Sequence, residues 1–234
     1  MDSHEFGNQE LWYSKIYDLM PCGNEEGFIA KLAHNTMENF KEVSADKSRQ
    51  KPQRILEVGA GSGLHLNFVH GDFSEYVVSD INPKALTEAK RKLSQDPRKI
   101  TYALVDAQST NFEDGSFDRV ISTCVLLHLE NPERALIEWL RITKSGGNIT
   151  VYIPSEPEFL LRVARNLTTG RAAKKMGFKG YDLLMAREHI NSAWRCETIM
   201  KHVYRNELVK RKRWPLYRSP IFLSAFTVFH ITKS

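Results

Sequence analysis

The apolar positions change rhythm twice along the chain. Between residues 11 and 50, LWYSKIYDLM and EGFIAKLAHNTMENF carry apolar side chains at helical spacing, with Pro21-Cys22-Gly23-Asn24 breaking between them. That spacing predicts N-terminal helices, and the polar stretch 42–52 predicts a linker. A regular alternation follows. The short apolar run 54–58 ends in glycines and predicts a buried strand; 76–79, 100–105, 117–123 and 148–153 predict four more. Asn82-Pro83 and Asn131-Pro132 each predict a helix start, because asparagine caps and proline fits the first helical position. The two helices should run to about Leu93 and to Arg141, and Leu64–Val69 can open a third after the glycines. Gly146-Gly147 turns the chain into the fifth strand. Strands alternating with helices predict a parallel sheet covered on both faces.

After Pro154 the pattern becomes helical and basic through 157–203, interrupted by Thr168-Thr169-Gly170 and by the glycines of MGFKGYD. Two strand candidates close the chain, 207–214 and 225–232, separated by Pro215 and Pro220, and suit an antiparallel pair at the sheet edge. One domain is therefore expected: a helical cap over 1–50, a core over 51–154, and helices with closing strands over 155–234.

Composition narrows the class. A chain of 234 residues, 41% hydrophobic and 26% charged, suits one folded α/β domain. The polar, acidic start MDSHEFGNQE predicts no secretory leader, and no apolar run approaches the ~18–20 residues of a membrane span. Cys22, Cys124 and Cys196 are too few and too scattered for a disulfide framework or a metal knuckle. A reducing cytoplasm and no metal are the expectations. Charge is uneven: residues 1–153 hold 17 Lys/Arg against 22 Asp/Glu, and 154–234 hold 16 against 6. A basic third suits an anionic partner or a solvated face.

The candidate chemistry begins at Glu57-Val58-Gly59-Ala60-Gly61-Ser62-Gly63, directly after a strand. Glycines there let the backbone turn tightly and approach a ligand, and in an open α/β sheet this first crevice holds nucleotide-like ligands. A dinucleotide fingerprint started at Gly59 would need glycine where Leu64 stands, and no lysine followed by serine or threonine marks a phosphate loop. Leu64 and the acid Glu57, two residues before the loop, both disfavour a nicotinamide-dependent oxidoreductase. Asp80, ending the second strand 17 residues beyond Gly63, can accept hydrogen bonds from both hydroxyls of a ribose.

These segments, together with ALVDAQ, FDRVISTCVLLHLENP and LRITKSGGNITVYIP, resemble the class I S-adenosylmethionine-dependent methyltransferases over about residues 50–154. The branch they look most like includes the ubiquinone- and menaquinone-biosynthesis enzymes. The resemblance implies a Rossmann-like, doubly wound seven-stranded sheet, mostly parallel with one antiparallel C-terminal strand, and S-adenosyl-L-methionine over the glycine loop. It further implies that Glu57, Gly59, Gly61 and Gly63 cradle the methionine portion, that Asp80 holds the ribose and that Ile81 flanks the adenine. Asp106 with Ala107 would read the adenine amino group, Thr123 would face the cofactor, and Tyr13 would bond the methionine carboxylate.

Methyl transfer is an in-line displacement at a carbon already activated by its sulfonium, so alignment and exclusion of water come first. A base is needed only where the acceptor must lose a proton early. His128, just past the fourth strand, and His189, in Arg187-Glu188-His189, are the candidates, with Glu188 a neighbour that could orient His189. His65, beside the glycines, suits packing or cofactor contact rather than reaction. Arg162, Arg165, Arg171, Lys174, Lys175 and Lys179 cluster, and 210–213 form a basic run. Arg165 and Arg171 are the candidates for gripping a phosphate on the acceptor.

The chain lacks the Pro-Pro-aromatic motif of base-methylating enzymes after strand four, where Thr123-Cys124-Val125-Leu126 stand, so a nucleic-acid acceptor is disfavoured. The C-terminal third also looks similar to methyltransferases of surface-polysaccharide pathways. A sugar or phosphorylated metabolite is therefore the leading acceptor, with a lipid or quinone-like acceptor at a membrane surface the alternative. A cofactor-binding partner protein without turnover is the non-enzymatic reading.

Overall fold

The computed structural model describes residues 28–40, 53–156, 163, 169–175, 181–216 and 220–234. The earlier N-terminal helix, Tyr13, the linker, Arg162, Arg165 and Lys179 lie outside the described residues.

Seven strands form one sheet in the order β3-β2-β1-β4-β5-β7-β6. They are β1 (Gln53–Val58), β2 (Phe73–Asp80), β3 (Ile100–Leu104), β4 (Phe117–Thr123), β5 (Thr143–Pro154), β6 (Leu208–Trp214) and β7 (Phe226–Thr232). The first five are parallel neighbours, and β7 runs antiparallel between β5 and β6. The helices are α1 (Phe28–Glu38), α2 (Pro83–Lys92), α3 (Pro132–Ile142), α4 (Thr169–Lys175), α5 (Tyr181–Glu188) and α6 (Ala193–Val203).

Both faces of the sheet are covered, so its strands are apolar on both sides. Leu56, Val58, Val120, Ile149 and Val151 face Leu136 and Trp139 of α3 and Cys196 and Met200 of α6. Ile55, Tyr76, Val78, Ile121 and Val228 face Met37 of α1 and Leu86 and Ala89 of α2. The two asparagine caps form as their sequence predicts: Asn82 Oδ1 accepts from the Lys84 amide at 2.9 Å, and Asn131 Oδ1 from the Arg134 amide at 3.0 Å.

Two local expectations change. The stretch after the glycines is a short 3-10 turn, Leu64–Phe68, because Gly71 bends the chain into β2 before an α-helix can develop. Strand β5 starts earlier, at Thr143, and carries Gly146-Gly147 within it as an irregularity between the pairs Phe117↔Thr143 and Arg119↔Asn148.

A charged cluster is built into the core beside the second face. Arg119 of β4 grips Glu38 of α1 with two bonds, at 3.0 and 2.6 Å. Glu38 also accepts from His65 Nε2 at 2.9 Å, and His65 Nδ1 meets His34 Nδ1 at 2.7 Å. A carboxylate can only accept, so His65 carries its proton on Nε2, and one further proton lies between the facing nitrogens. Burial alone would raise the Glu38 carboxyl, but Arg119 and then His65 outweigh it and hold it far below the carboxylate range. Burial first, and the neighbouring His65 second, hold His34 well below its usual value.

Both depressed groups bind fewer protons folded than unfolded, so the stability they lend is present above their ordinary values and lost on acidification. Thermal unfolding should show stability falling first below about pH 6.5, from His34, and again below about pH 4.5, from Glu38. Arg119→Met leaves the Glu38 carboxylate buried without its main partner and should cost about 3–5 kcal/mol in denaturant titrations. A loss under about 1 kcal/mol would show that the cluster carries little of the fold.

Candidate functional site

Strand β1 must turn at once into the glycine loop, and the loop's conformation leaves no choice of residue. Gly59, Gly61 and Gly63 have φ of +59°, +56° and +75°. A Cβ at Gly59 would stand 2.4 Å from Val125 Cγ2, and one at Gly63 would stand 2.7 Å from Leu93 Cδ1. The loop is tied to the end of β2 by main chain and side chain together. The Ala60 amide donates to Ser79 O at 2.8 Å, and the Gly61 amide donates to Asp80 Oδ2 at 2.9 Å. The other Asp80 oxygen accepts from the Asn82 amide at 2.8 Å. Two main-chain donors thus fix a carboxylate in the crevice, with lone pairs remaining for a diol.

Beside it, Ile81 is 68% exposed, and Leu104, paired with Asp80 across the sheet, is 60% exposed. Two exposed apolar side chains flanking an ordered carboxylate offer the surface that a purine would cover. Asp106 is folded into its own turn, accepting from the Gln108 amide at 2.8 Å. The Ala107 carbonyl accepts from Trp139 Nε1 at 2.9 Å, so that turn is anchored to α3 from inside. Glu57 lies buried beneath the loop, accepting from Tyr76 OH at 2.8 Å with Thr123 Oγ1 at 3.5 Å. Burial raises its carboxyl pKa, more than His65 and the Tyr76 hydroxyl lower it. His65 is fully buried in the core cluster, in line with a packing role.

The two histidine candidates, 61 positions apart, meet. Past Thr123 the chain passes through Cys124, at φ +64°, into a 3-10 turn ending at His128. His189 follows α5. Asn191 fastens these segments: its side chain donates to Leu126 O at 3.1 Å and Leu129 O at 2.6 Å, and its amide to Leu127 O at 3.1 Å. The rings of His128 and His189 stand 4.7 Å apart at 75°. Burial first, and the charge of His189 second, push His128 down to about 4.

The expected orienting role of Glu188 is corrected. Its carboxylate stands 3.9 Å from His128 Nδ1, and His189 Nδ1 is bound instead by Glu156 Oε2. Adjacent helical residues point apart, whereas Glu156 approaches from the end of β5, and its carbonyl accepts from the Ala193 amide at 2.7 Å. The signal for Glu156 was a carboxylate just past a parallel strand's carboxyl end, where such sheets place their sites.

The basic third is less available than its count implies. Arg211 and Arg213 bind Glu197 at 2.8 and 2.6 Å, and Lys212 donates to Asn39 O at 2.8 Å over the Phe40 ring. Arg171, Lys174 and Lys175 stand exposed on α4. Among the described residues no group of His, Cys, Asp or Glu is arranged to hold a metal, and no helix is long and apolar enough to cross a membrane.

Residues 56–151 match the family described as Methyltransferase domain. The fold and the matched segment are those of the class I S-adenosylmethionine-dependent methyltransferases. Within that class the chain is 34% identical over 107 residues to a demethylmenaquinone methyltransferase of Renibacterium salmoninarum, covering 46% of this chain and 44% of that protein. It is 27% identical over 160 residues to a ubiquinone/menaquinone biosynthesis C-methyltransferase UbiE of Coxiella burnetii, covering 66% and 59%. It thus spans less than two thirds of the curated relatives it matches.

Among solved structures, phosphoethanolamine N-methyltransferase 2 of Haemonchus contortus, in complex with S-adenosyl-L-methionine, superposes with a TM-score of 0.63 at 15% identity, over all of this chain and 60% of that one. The PH0226 protein of Pyrococcus horikoshii gives 0.58 at 15% identity, over 94% and 99%. At such identities the likeness is one of fold.

Gly59→Ala tests the loop's packing against the His128 turn. The new Cβ meets Val125 in a left-handed conformation, so a loss of about 1–3 kcal/mol is expected. Adding Val125→Ala should recover part of it, since that relieves the clash and leaves the backbone strain. Full tolerance of Gly59→Ala alone would disprove the contact.

Proposed function

We propose that this chain methylates a small-molecule acceptor with S-adenosyl-L-methionine held at the glycine loop. The observation that carries the reading is the loop tied by its Gly61 amide to the Asp80 carboxylate, beside exposed Ile81. The residues present fit the cofactor: three left-handed glycines open the backbone, an ordered acid can take the ribose hydroxyls, and an apolar shelf can take the adenine. Asp106 and Ala107 would border the adenine edge. Thr123 and buried Glu57 would close the site below the methionine portion. Bound there, the cofactor supplies a methyl group activated by a positively charged sulfur. The chain's own task is to align the acceptor and keep water out.

The named relatives support a quinol-type acceptor. Pairing of Arg211 and Arg213 with Glu197 removes part of the footing for an anionic one. Arg171, exposed on α4, keeps a phosphorylated or sugar acceptor as the second reading, with Arg165 in the same basic cluster. We place the reaction in the cytoplasm, with contact to a membrane surface if the acceptor is a lipid. The chain's match to methyltransferases weighs against a partner protein without turnover.

Calorimetry should show S-adenosylmethionine and S-adenosylhomocysteine binding at micromolar Kd, about −8 kcal/mol, and no binding of NAD. Asp80→Ala should weaken that binding by about 1–3 kcal/mol. Preference for NAD would overturn the reading, and unchanged affinity in the folded variant would remove Asp80 from the site. For the acceptor, reversing Arg165 and Arg171 to glutamate should raise KM and abolish its salt dependence if the acceptor is anionic. A quinol acceptor should be indifferent to both changes.

A further inference from the structure

A methyltransferase site that only aligns its reactants needs no titratable side chains at the acceptor, yet four converge from three segments beyond the carboxyl ends of β4 and β5. His128 follows β4, Glu156 follows β5, and Glu188 ends α5 with His189 directly after it. The Asn191 staple and the Ala193 amide hold the segments together, so the convergence is enforced by main-chain bonds on both sides. Such a cluster, sitting where parallel strands present their carboxyl ends, suits proton transfer.

We infer that Glu156 and His189 form a base assembly that removes a hydroxyl proton from the acceptor, with His189 the catalytic residue and Glu156 the positioning residue. The inference rests on the methyltransferase reading and names its acceptor class: a compound with an ionisable hydroxyl, such as a phenol or quinol. Glu156 accepts from Nδ1, which fixes the His189 tautomer that presents Nε2 as the proton acceptor. A carboxylate beside imidazole also favours the imidazolium, so it strengthens the base.

His128 faces His189 edge to ring and stays uncharged near neutrality, so it adds no competing positive charge beside the imidazolium as it forms. Glu188 stands against His128. Among the described residues Glu156 binds His189 and His128 packs against its ring, and of these two Glu156 supplies the negative charge.

The step balances without a further reactant. The acceptor O–H bond breaks, its proton passes to His189 Nε2, and the freed oxygen pair forms the new bond to the methyl carbon. The methyl–sulfur bond breaks with its electron pair left on sulfur, giving a neutral thioether. The proton then leaves the imidazolium for solvent. Where a ring carbon is methylated, the same O–H bond breaks first and the oxygen pair, acting through the ring, forms the carbon–methyl bond and leaves a ketone. That carbon then gives up its hydrogen as a proton to solvent while the oxygen regains one, so that one proton is released overall.

The test uses the full chain, its Glu156→Gln, Glu156→Asp, His189→Gln and His128→Asn variants, and a set of phenols and 1,4-naphthoquinols of graded acidity. Calorimetry with S-adenosylhomocysteine comes first, and affinity within about threefold of wild type confirms a folded cofactor half. His189→Gln should lower single-turnover rates by about 10²–10⁴-fold. His128→Asn should lower them less.

In wild type the rate should rise with pH through the His189 titration. Glu156→Gln should move that inflection to lower pH, since the imidazolium loses its stabilising carboxylate, and Glu156→Asp should restore most of both rate and inflection. NMR titration of the His189 ring in the free protein should show the same downward move, independent of turnover.

Absence of cofactor binding in wild type would defeat the methyltransferase reading itself. Cofactor binding with no transfer to any hydroxyl compound would overturn the acceptor class. Transfer with rate and His189 titration unmoved by Glu156→Gln would overturn the base assembly.

Discussion

The register of β1 against its two parallel neighbours is the constraint on which the site depends. Val58 pairs with Ser79 on one side and Ser122 on the other, so three strands end level. That places the first residues beyond β1 next to the last residue of β2, which lets the Gly61 amide reach Asp80. Slipping β1 by one residue would turn Glu57 toward the α3 face and Val58 toward the α1 face, because side chains alternate across the sheet. Tyr76 would then lose its carboxylate partner, and the Glu57 carboxylate would stand among the apolar residues of the other face. The loop's chemistry is thus held by ordinary strand packing several residues below it.

What the sequence made legible was local. The Asn-Pro caps, the glycine loop and the acid ending β2 each depend on a handful of consecutive residues, and each stands where it was expected. The closing strands were legible as strands, but the placement of β7 between β5 and β6 was not, since pairing across the sheet leaves no mark in spacing. The basic run 210–213 misleads for a related reason. On a strand Arg211 and Arg213 share a face, and the partner that neutralises them, Glu197, comes from α6. Glu156 was missed because its meaning depends on His189, 33 residues later and brought back by the Asn191 staple.

The core cluster shows a second kind of long-range dependence. His34 and Glu38 belong to α1, which precedes the matched segment 56–151, while His65 and Arg119 belong to that segment. An apolar contact would let α1 slide or rotate at modest cost. A bidentate pair with a tautomer-fixed histidine does not, because any displacement leaves a buried charge unsatisfied. His65 sits two residues after Gly63, so the same bonds that seat α1 also hold the far end of the glycine loop.

The turn 125–129 is where the two halves of the molecule meet. On one side Val125 packs so closely on Gly59 that no side chain fits there. On the other side the carbonyls of Leu126, Leu127 and Leu129 are all taken by Asn191, and His128 faces His189. A rigid turn of five residues contacting both halves cannot move against one without moving against the other. The proposed methyl transfer would need that relation, since a donor carbon and an attacking atom must approach along one line. A flexible link between the halves would leave that line to chance, and about 1 Å of misplacement is enough to cost two orders of magnitude in rate. The left-handed Cys124 is consistent with the same demand: the chain accepts a strained residue at the end of β4 to aim the turn at both partners.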